Sequence, residues 1–330
     1  MISNIRKAAS SVAAIVLVLT LAAGCGNQGS PGSGSGGSIS EEFSLSGPQA
    51  FASFTVGSKN FTEQRILGEI AVQSLEAAGA DVTDRISLGG NEEVRQALVD
   101  KDIDLYWEYT GTAWLVHLSN ADSISEPQKL YKSVAKQDLK ENDIEWLDPA
   151  PGNNTYAVAA SQKTLDETGV SNISDLAKLA EKSPDKAKLC YGDEDDFSSR
   201  SDGLPGLEEA YDFEYPEDSQ IVVPLDSVYE NVAKGERCNF GIVFTTNGLI
   251  EEENLKLLED DKDFFAVYNP TVIMSKKTLS DYPKLEELFA EISKKLTTKE
   301  LLKLNSQVDI EGKTPANVAE KWLKDSGFVG

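Results

Sequence analysis

Three tyrosines carry the aromatic faces best placed in this sequence to hold an organic cation. Tyr109 follows an apolar, strand-like run, Tyr156 lies just past a turn-rich segment, and Tyr268 lies in a second apolar stretch broken by Asn-Pro. A quaternary ammonium has no N–H to donate, so ring faces must hold it by cation–π attraction, worth about 0.5–2 kcal/mol per ring. We therefore predict that Tyr109, Tyr156 and Tyr268 face one cleft.

Lys59, Thr112 and Arg200 are the matching candidates for binding a carboxylate. Lys59 precedes a predicted helix start, where backbone N–H groups and the helix dipole favour an anion. The planar guanidinium of Arg200 can chelate a carboxylate, and Thr112 adds a hydroxyl. Asn154 offers an oxygen for weak C–H contacts from methyl groups. Together with the tyrosines, these side chains suit a small molecule carrying both an ammonium and a carboxylate.

Ordinary structural interpretations stay open for the same residues. A Tyr in an apolar strand is usually a half-buried packing residue, and a lone Lys is usually a solvated surface group. Trp107 and Trp114 are interpreted as walls or core, and His117, in an apolar stretch, as a structural histidine. The acidic runs at 193–196 and 251–253 lack the spacing of an EF-hand, so we predict no metal site.

The elements that would position these side chains alternate between strand-like and helical patterns from Phe51 onward, which is an α/β signature. A strand ending at Gly57 precedes apolar residues at helical spacing, from Ile66 to Ala78, and Gly79 is placed to end that helix. Asn60 with Glu63 resembles a capping box. Ligands of open α/β sheets bind at loops after strands, where Lys59 and Tyr109 fall.

Two segments are predicted to cross between lobes. Residues 148–154 are dense in turn formers, and the apolar stretch 264–274 is broken by Asn-Pro. Two crossings imply a discontinuous first lobe, so we predict lobe 1 at 52–152 and 269–330 and lobe 2 at 153–268. Ligands often bind between two such lobes.

Composition excludes several classes of protein. The 330 residues carry 31 Lys and Arg against 55 Asp and Glu, a formal net charge of −24, which phosphate backbones and anionic lipids repel. We predict no nucleic-acid partner. With three Cys and one His, zinc clusters and His-based catalysis are disfavoured, and we predict no cofactor.

The N-terminus has the pattern of an export signal. Basic Arg6 and Lys7 precede an apolar run at 12–23, too short for an ordinary membrane span. Small residues then lead to Cys25, as in a bacterial lipobox, so we predict a signal peptide at 1–24 and a lipid on Cys25. Residues 25–51, rich in Gly and Ser, are predicted to form a flexible tether. Plain signal-peptidase cleavage is the alternative.

Four stretches together resemble a known family: GSKNFTEQRILGE at 57–69, DLYWEYTGTA at 104–113, NNTYAVA at 153–159 and RSDGLPGLEEAY at 200–211. They resemble the substrate-binding proteins of osmoprotectant ABC importers, which capture glycine betaine, choline, carnitine or related quaternary amines. The resemblance implies a type II periplasmic-binding-protein fold, α/β with mixed sheets flanked by helices and two hinge crossings.

The resemblance also implies roles for particular residues. It adds Phe244 as a fourth cage wall, where relatives are expected to have Tyr, and it gives Lys59, Thr112 and Arg200 the carboxylate. The implied partner is an ABC permease, with the protein a monomer held at the extracytoplasmic face of the membrane by its lipid alone.

Cys190 and Cys238 remain once Cys25 is lipidated. Export into an oxidising compartment and an even pair of cysteines favour a disulfide between them. The sequence thus predicts a lipid-anchored binding protein for glycine betaine, with no catalytic step. A binder of choline, carnitine or another cationic solute, or an osmolyte-sensing receptor module, is the alternative.

Overall fold

Two mixed five-stranded sheets organise the chain in the computed structural model, which describes residue 39 and residues 43–45, 52–120, 124–192 and 197–329. Each sheet combines parallel and antiparallel neighbours and is flanked by helices, which is the predicted type II periplasmic-binding-protein fold. The predicted signal peptide and Cys25 lie outside the described residues.

The first sheet has the strand order β2-β1-β3-β10-β4. Strand β1 runs parallel to β2 and β3, whereas β10 runs antiparallel to β3 and β4. The strands are β1 (Ser53–Lys59), β2 (Asp81–Gly89), β3 (Leu105–Tyr109), β4 (Ile144–Trp146) and β10 (Pro270–Ser275).

The second sheet has the order β7-β6-β8-β5-β9, with β6 parallel to β7 and β8, and β5 antiparallel to β8 and β9. It uses one contiguous stretch of chain, so all of its strands fall within the range predicted for lobe 2. The strands are β5 (Tyr156–Ser161), β6 (Leu189–Gly192), β7 (Gln220–Val223), β8 (Phe240–Phe244) and β9 (Leu255–Leu257).

Helices flank the sheets, and a π-helical turn (Ala113–His117) continues from the short helix α3. The helices are α1 (Thr62–Ala77), α2 (Asn91–Val99), α3 (Thr110–Thr112), α4 (Pro127–Asn142), α5 (Gln162–Thr168), α6 (Ile173–Lys182), α7 (Leu204–Tyr211), α8 (Ser227–Lys234), α9 (Leu249–Glu252), α10 (Lys276–Asp281), α11 (Lys284–Lys295), α12 (Thr298–Asp309) and α13 (Pro315–Asp325). Short 3₁₀ turns occur at Pro184–Lys186 and Glu217–Ser219. Within the described ranges, no helix is both long enough and apolar enough to cross a membrane.

The two chain crossings between the sheets run side by side. The backbone N–H of Asn154 donates to the Tyr268 carbonyl at 3.1 Å, and the Tyr268 N–H donates to Asn153 Oδ1 at 2.8 Å. The Asn269 side chain donates to the Gly152 carbonyl at 2.7 Å. Each crossing therefore provides hydrogen-bond partners for backbone groups of the other. These bonds fix the positions of the segments that carry Tyr156 and Tyr268.

The start of α1 differs from the sequence-based prediction. Gly79 has a left-handed φ of 89° just after the helix, as predicted, but the residue capping its N-terminus is Phe61, without a side-chain hydrogen bond. The predicted capping box of Asn60 and Glu63 is wrong, because the Glu63 carboxylate is bonded inside the protein instead. The capping-type contact falls at the next helix, where Glu93 accepts from the Gly90 N–H at 3.0 Å.

Part of the predicted tether also packs on the fold. Ile39 is 4% exposed and belongs to the core of the first lobe, with Phe43 and Leu45 against the same cluster. The Leu45 N–H donates to the Ala78 carbonyl at 2.8 Å. The segment predicted as a tether therefore contacts the fold at these residues, because their apolar side chains bury surface that the Gly/Ser-rich stretch lacks.

A disulfide joins Cys190 and Cys238 in the second lobe, as predicted, with the Cα atoms 5.7 Å apart. Cys190 lies on β6, and Cys238 lies just before its neighbour β8. Both cysteines are buried beside Val228 and Val232 of α8. The bridge therefore closes a 48-residue separation inside one core.

Candidate functional site

One pocket between the two sheets is lined by every residue predicted to contact the ligand. These residues are Lys59, Tyr109, Thr112, Asn154, Tyr156, Arg200, Phe244 and Tyr268. They come from segments as distant in sequence as β1 and the second crossing, on which Tyr268 lies. Only the fold brings them together. Phe61, Asn60, Gly90, Asn91 and Leu225 complete the lining.

Strand register places the four predicted cage rings. Tyr156 and Phe244 are direct partners on the antiparallel strands β5 and β8. Pro270 is the direct partner of Tyr109 on β10 and β3, and Tyr268 lies two residues before it. All four residues lie at or near strand ends, next to the crossings. Their rings therefore meet at the boundary between the sheets.

The rings are close enough to form a continuous aromatic wall. The Tyr156 centroid lies 5.1 Å from that of Phe244 and 5.7 Å from that of Tyr268, the latter pair edge to face at 81°. Both distances fall in the range of favourable aromatic pairs. Phe244 thus contributes its ring to this wall without a hydroxyl.

Phe61 is a wall residue that the sequence-based prediction missed. Its ring stacks at 21° on Tyr109, 6.2 Å away, and at 21° on Phe244, 5.7 Å away. It therefore joins a ring of the first lobe to a ring of the second. An available signal was its place inside the GSKNFTE stretch, two residues after Lys59.

Lys59 is buried and paired with Glu108. Its Nζ lies 2.5 Å from Glu108 Oε1, with the two side chains 2% and 0% exposed. The same carboxylate accepts from the Tyr106 hydroxyl, the Tyr109 N–H and His117 Nε2 at 2.9, 2.7 and 2.9 Å. His117 is thus a structural partner of Glu108.

Electrostatics at this pair favour the ionised carboxylate. Burial alone would raise the pKa of Glu108, but the charge of Lys59 and the hydrogen bonds with His117 and Lys59 hold it well below the usual range. Burial lowers the pKa of Lys59, and Glu108 counteracts this. The ammonium that lines the pocket is therefore already balanced by an internal anion.

Arg200 has a comparable partner in Asp202. Its Nε and Nη2 donate to Asp202 Oδ1 and Oδ2 at 2.8 and 2.5 Å, a bidentate geometry. The Tyr268 hydroxyl donates to the same Oδ2 at 2.6 Å. Burial would raise the pKa of Asp202, but the bonds and charge of Arg200 and the bond from Tyr268 lower it. Asp202 thus links a carboxylate candidate to a cage candidate.

The cations and the rings are in contact. Lys59 Nζ lies 5.2 Å from the Tyr109 ring centroid, and Arg200 Cζ lies 5.7 Å from that of Tyr156, both within cation–π range. The sequence suggested cations and rings at two ends of a site; the structure interleaves them. A ligand in this pocket therefore meets both kinds of group at short range.

The remaining predicted residues have different surroundings. Thr112 is 4% exposed on α3, directly before the π-helical turn. Asn154 is 6% exposed, and its Nδ2 donates to Glu63 Oε1 at 3.0 Å. Trp107 is buried in the hydrophobic core of the first lobe, where it packs edge to face on Phe289. It does not line the pocket. In the described part of the chain, no group of three His, Cys, Asp or Glu side chains is arranged to hold a metal ion.

The pocket offers a small organic molecule both aromatic ring faces and charged donors. A family model described as the substrate-binding domain of ABC-type glycine betaine transport systems matches residues 52–325. The chain belongs to this family, and it is therefore a solute-binding protein of an ABC transporter and not an enzyme.

Individual relatives agree with this placement. The chain is 32% identical over 82% of its length to a glycine-betaine-binding protein of Pseudomonas aeruginosa, covering 86% of that protein. It is also 32% identical to an ergothioneine transport permease/ergothioneine binding protein of Helicobacter pylori, over 83% of this chain and 47% of that one. The solved structure of apo YehZ from Escherichia coli is 28% identical, with a TM-score of 0.62 over 83% of this chain and 99% of that chain.

Proposed function

We propose that this protein captures glycine betaine, or a closely related quaternary amine with a carboxylate, and delivers it to an ABC permease from a lipid anchor on Cys25. The supporting observation is that all eight residues expected to contact such a ligand line one interlobe pocket. Tyr109, Tyr156, Tyr268 and Phe244 supply ring faces for the trimethylammonium group. Lys59, Arg200 and Thr112 supply donors for the carboxylate, and Asn154 lies against the methyl groups.

The pairing of both cations supports a zwitterionic ligand over a simple anion. Lys59 and Arg200 are each compensated by a buried carboxylate. A ligand of zero net charge can share these donors without leaving Glu108 or Asp202 facing an uncompensated second anion. Closure of the two lobes over the ligand would then present the loaded form to the permease.

A calorimetric panel tests the proposal. Purified protein is titrated with glycine betaine, carnitine, choline, ergothioneine, and glycine as the control that lacks the methyl groups. We expect binding of the trimethylammonium zwitterions, weaker binding of choline, and no heat with glycine. Tight binding of glycine, or no binding of any quaternary amine, would contradict the proposal.

Ergothioneine is in the panel because a relative at 32% identity carries that name. It too is a trimethylammonium betaine, with a larger heterocyclic side group. If ergothioneine binds more tightly than glycine betaine, the chemistry proposed for the pocket stands and the preferred amine changes.

A further inference from the structure

Glu63 is a buried carboxylate directly behind the pocket. It lies in the first turn of α1 and is 3% exposed. Its Oε1 accepts from the Tyr109 hydroxyl at 2.8 Å and from Asn154 Nδ2 at 3.0 Å, and its Oε2 accepts from Asn305 Nδ2 at 2.9 Å. Two of these three partners, Tyr109 and Asn154, line the pocket.

The third partner extends the network into the second lobe. Asn305 lies on α12, and its Nδ2 also donates to the Thr246 backbone carbonyl at 2.9 Å, in the loop after β8. Asn154 lies on the first crossing. Glu63 therefore connects a cage ring of the first lobe with the hinge and with a second-lobe loop.

The hydrogen bonds to Glu63 come from uncharged donors. Burial raises the pKa of Glu63, an effect that the hydrogen bonds from Asn305, Tyr109 and Asn154 counteract. The charges of Glu63, of Arg65 on the same helix and of Asp226 all act on the Asp309 carboxyl on α12. The Tyr109 phenol stays protonated, since burial and the nearby Glu63 charge raise its pKa well above the usual value.

We propose that Glu63 is a positioning and charge-setting residue for the ammonium end of the ligand. It holds Tyr109 in place through the phenol, and its negative charge, at the hydroxyl edge of that ring, increases the affinity for a cation bound against the ring face. This inference rests on the proposed function, since it assigns a further determinant of the same site.

The decisive variant is Glu63→Gln, with Glu69→Gln as the matched control. Glu69 lies on the same helix, is half-buried and accepts from Gln73 at 3.2 Å, but it does not line the pocket. A unit charge about one ring away from an ammonium, at an effective dielectric of about 20, changes affinity by roughly tenfold or more. We expect Glu63→Gln to weaken glycine betaine binding by about that factor and Glu69→Gln to leave it unchanged.

An uncharged analogue separates charge from shape. The carbon isostere of glycine betaine, 3,3-dimethylbutanoate, keeps the carboxylate and the three methyl groups but lacks the positive charge. In competition calorimetry, Glu63→Gln should not weaken the isostere. A purely structural role would weaken both ligands equally, and that result overturns the charge-setting proposal.

The pH dependence gives a second readout. Protonation of Glu63 removes the charge, so wild-type affinity for glycine betaine should fall as the pH is lowered through the raised pKa of Glu63. The affinity of Glu63→Gln should fall much less over the same range, although Asp309, whose pKa is raised to about 6, titrates in both proteins. Identical pH profiles for the two proteins would contradict the inference.

Asn305→Ala keeps the proposal testable if Glu63→Gln fails to fold. It removes the tie to Thr246 but retains the Glu63 charge, so we expect weaker binding of both ligands with the pH dependence kept. Wild-type affinity in this variant would contradict the positioning role.

If wild type binds glycine betaine and Glu63→Gln binds it with the same affinity as Glu69→Gln, this inference fails and the proposed function stands. If wild type binds no quaternary amine, the proposed function itself fails.

Discussion

Lys59 and Glu108 form a buried ion pair at 2.5 Å, although 49 residues separate them in sequence. The pair sits under the pocket, with Lys59 at its surface and Glu108 fully enclosed by Tyr106, His117 and the backbone of Tyr109. Removing one partner of such a buried pair is costly, because the remaining charge is neither paired nor hydrated by water. The donor proposed for the ligand carboxylate is therefore also part of the framework of lobe 1.

We predict that Glu108→Gln lowers the free energy of unfolding by about 3–5 kcal/mol, since Lys59 loses its buried counter-charge. The control is Glu300→Gln, which breaks an exposed pair with Lys303 and should cost well under about 1 kcal/mol. Urea denaturation at neutral pH measures both. Equal, small losses would show that the Lys59–Glu108 pair does not stabilise the fold.

The direction of the Glu108 pKa shift predicts how the stability of the same variant depends on pH. Because the folded-state pKa of Glu108 is depressed, its contribution to stability is present above the unfolded value and is lost as the pH falls. Wild type should therefore lose more stability on acidification than Glu108→Gln. Parallel unfolding curves between pH 7 and pH 3 would argue against a depressed pKa.

Replacing Arg200 should change selectivity. We predict that Arg200→Ala weakens glycine betaine binding by about 2–4 kcal/mol, because the ligand carboxylate loses its partner, and leaves choline affinity undiminished. Asp202 then remains near the pocket without its bidentate partner, which favours a net cationic ligand. Calorimetry with both ligands measures the ratio, and an Arg200→Ala protein that still prefers glycine betaine over choline would refute the carboxylate role.

Removing a cage ring should affect all trimethylammonium ligands alike. Tyr156→Leu keeps apolar bulk but deletes the ring face, for an expected loss of about 1–2 kcal/mol, or five- to thirtyfold in affinity. Tyr191→Leu is the control, since Tyr191 is buried in the same lobe but does not line the pocket. If the two substitutions change affinity equally, Tyr156 acts through packing and not as a cage wall.

The disulfide should stabilise the second lobe. Loss of the bridge in a Cys190→Ala/Cys238→Ala variant should cost about 3–4 kcal/mol, since it closes a separation of 48 residues. Neither cysteine lines the pocket, so ligand affinity under native conditions should not change. Chemical unfolding and calorimetry separate the two effects. A variant as stable as wild type would show that the bridge adds nothing.

Membrane attachment is predicted to depend on Cys25. Cys25→Ser should move the protein from the membrane fraction to the soluble exported fraction, because the residue that would carry the lipid is gone. Cell fractionation with immunoblotting measures this, and Cys190→Ser serves as the control for loss of a cysteine as such. Retention of Cys25→Ser in the membrane would contradict the lipid anchor.

Local sequence identified eight of the residues that line the pocket, but not Phe61. Tyr109, Tyr156 and Tyr268 were recognisable because each follows a strand or lies at a crossing, and these are positions where α/β folds present side chains to ligands. Lys59 and Arg200 were recognisable from their motifs. Such signals are contained in stretches of about ten residues, so a single chain reveals them without knowledge of its folded partners.

Only the tertiary structure decided what those residues contact. Glu63 has the local spacing of a capping residue, yet its hydrogen-bond donors lie 46, 91 and 242 residues away. Glu108 and Asp202 likewise gain their roles from Lys59 and Arg200 at the boundary between the sheets. A buried carboxylate adopts the hydrogen bonds and ion pairs of lowest free energy for its charge and its two oxygens. Which partners are available depends on the distant donors that the two lobes bring together.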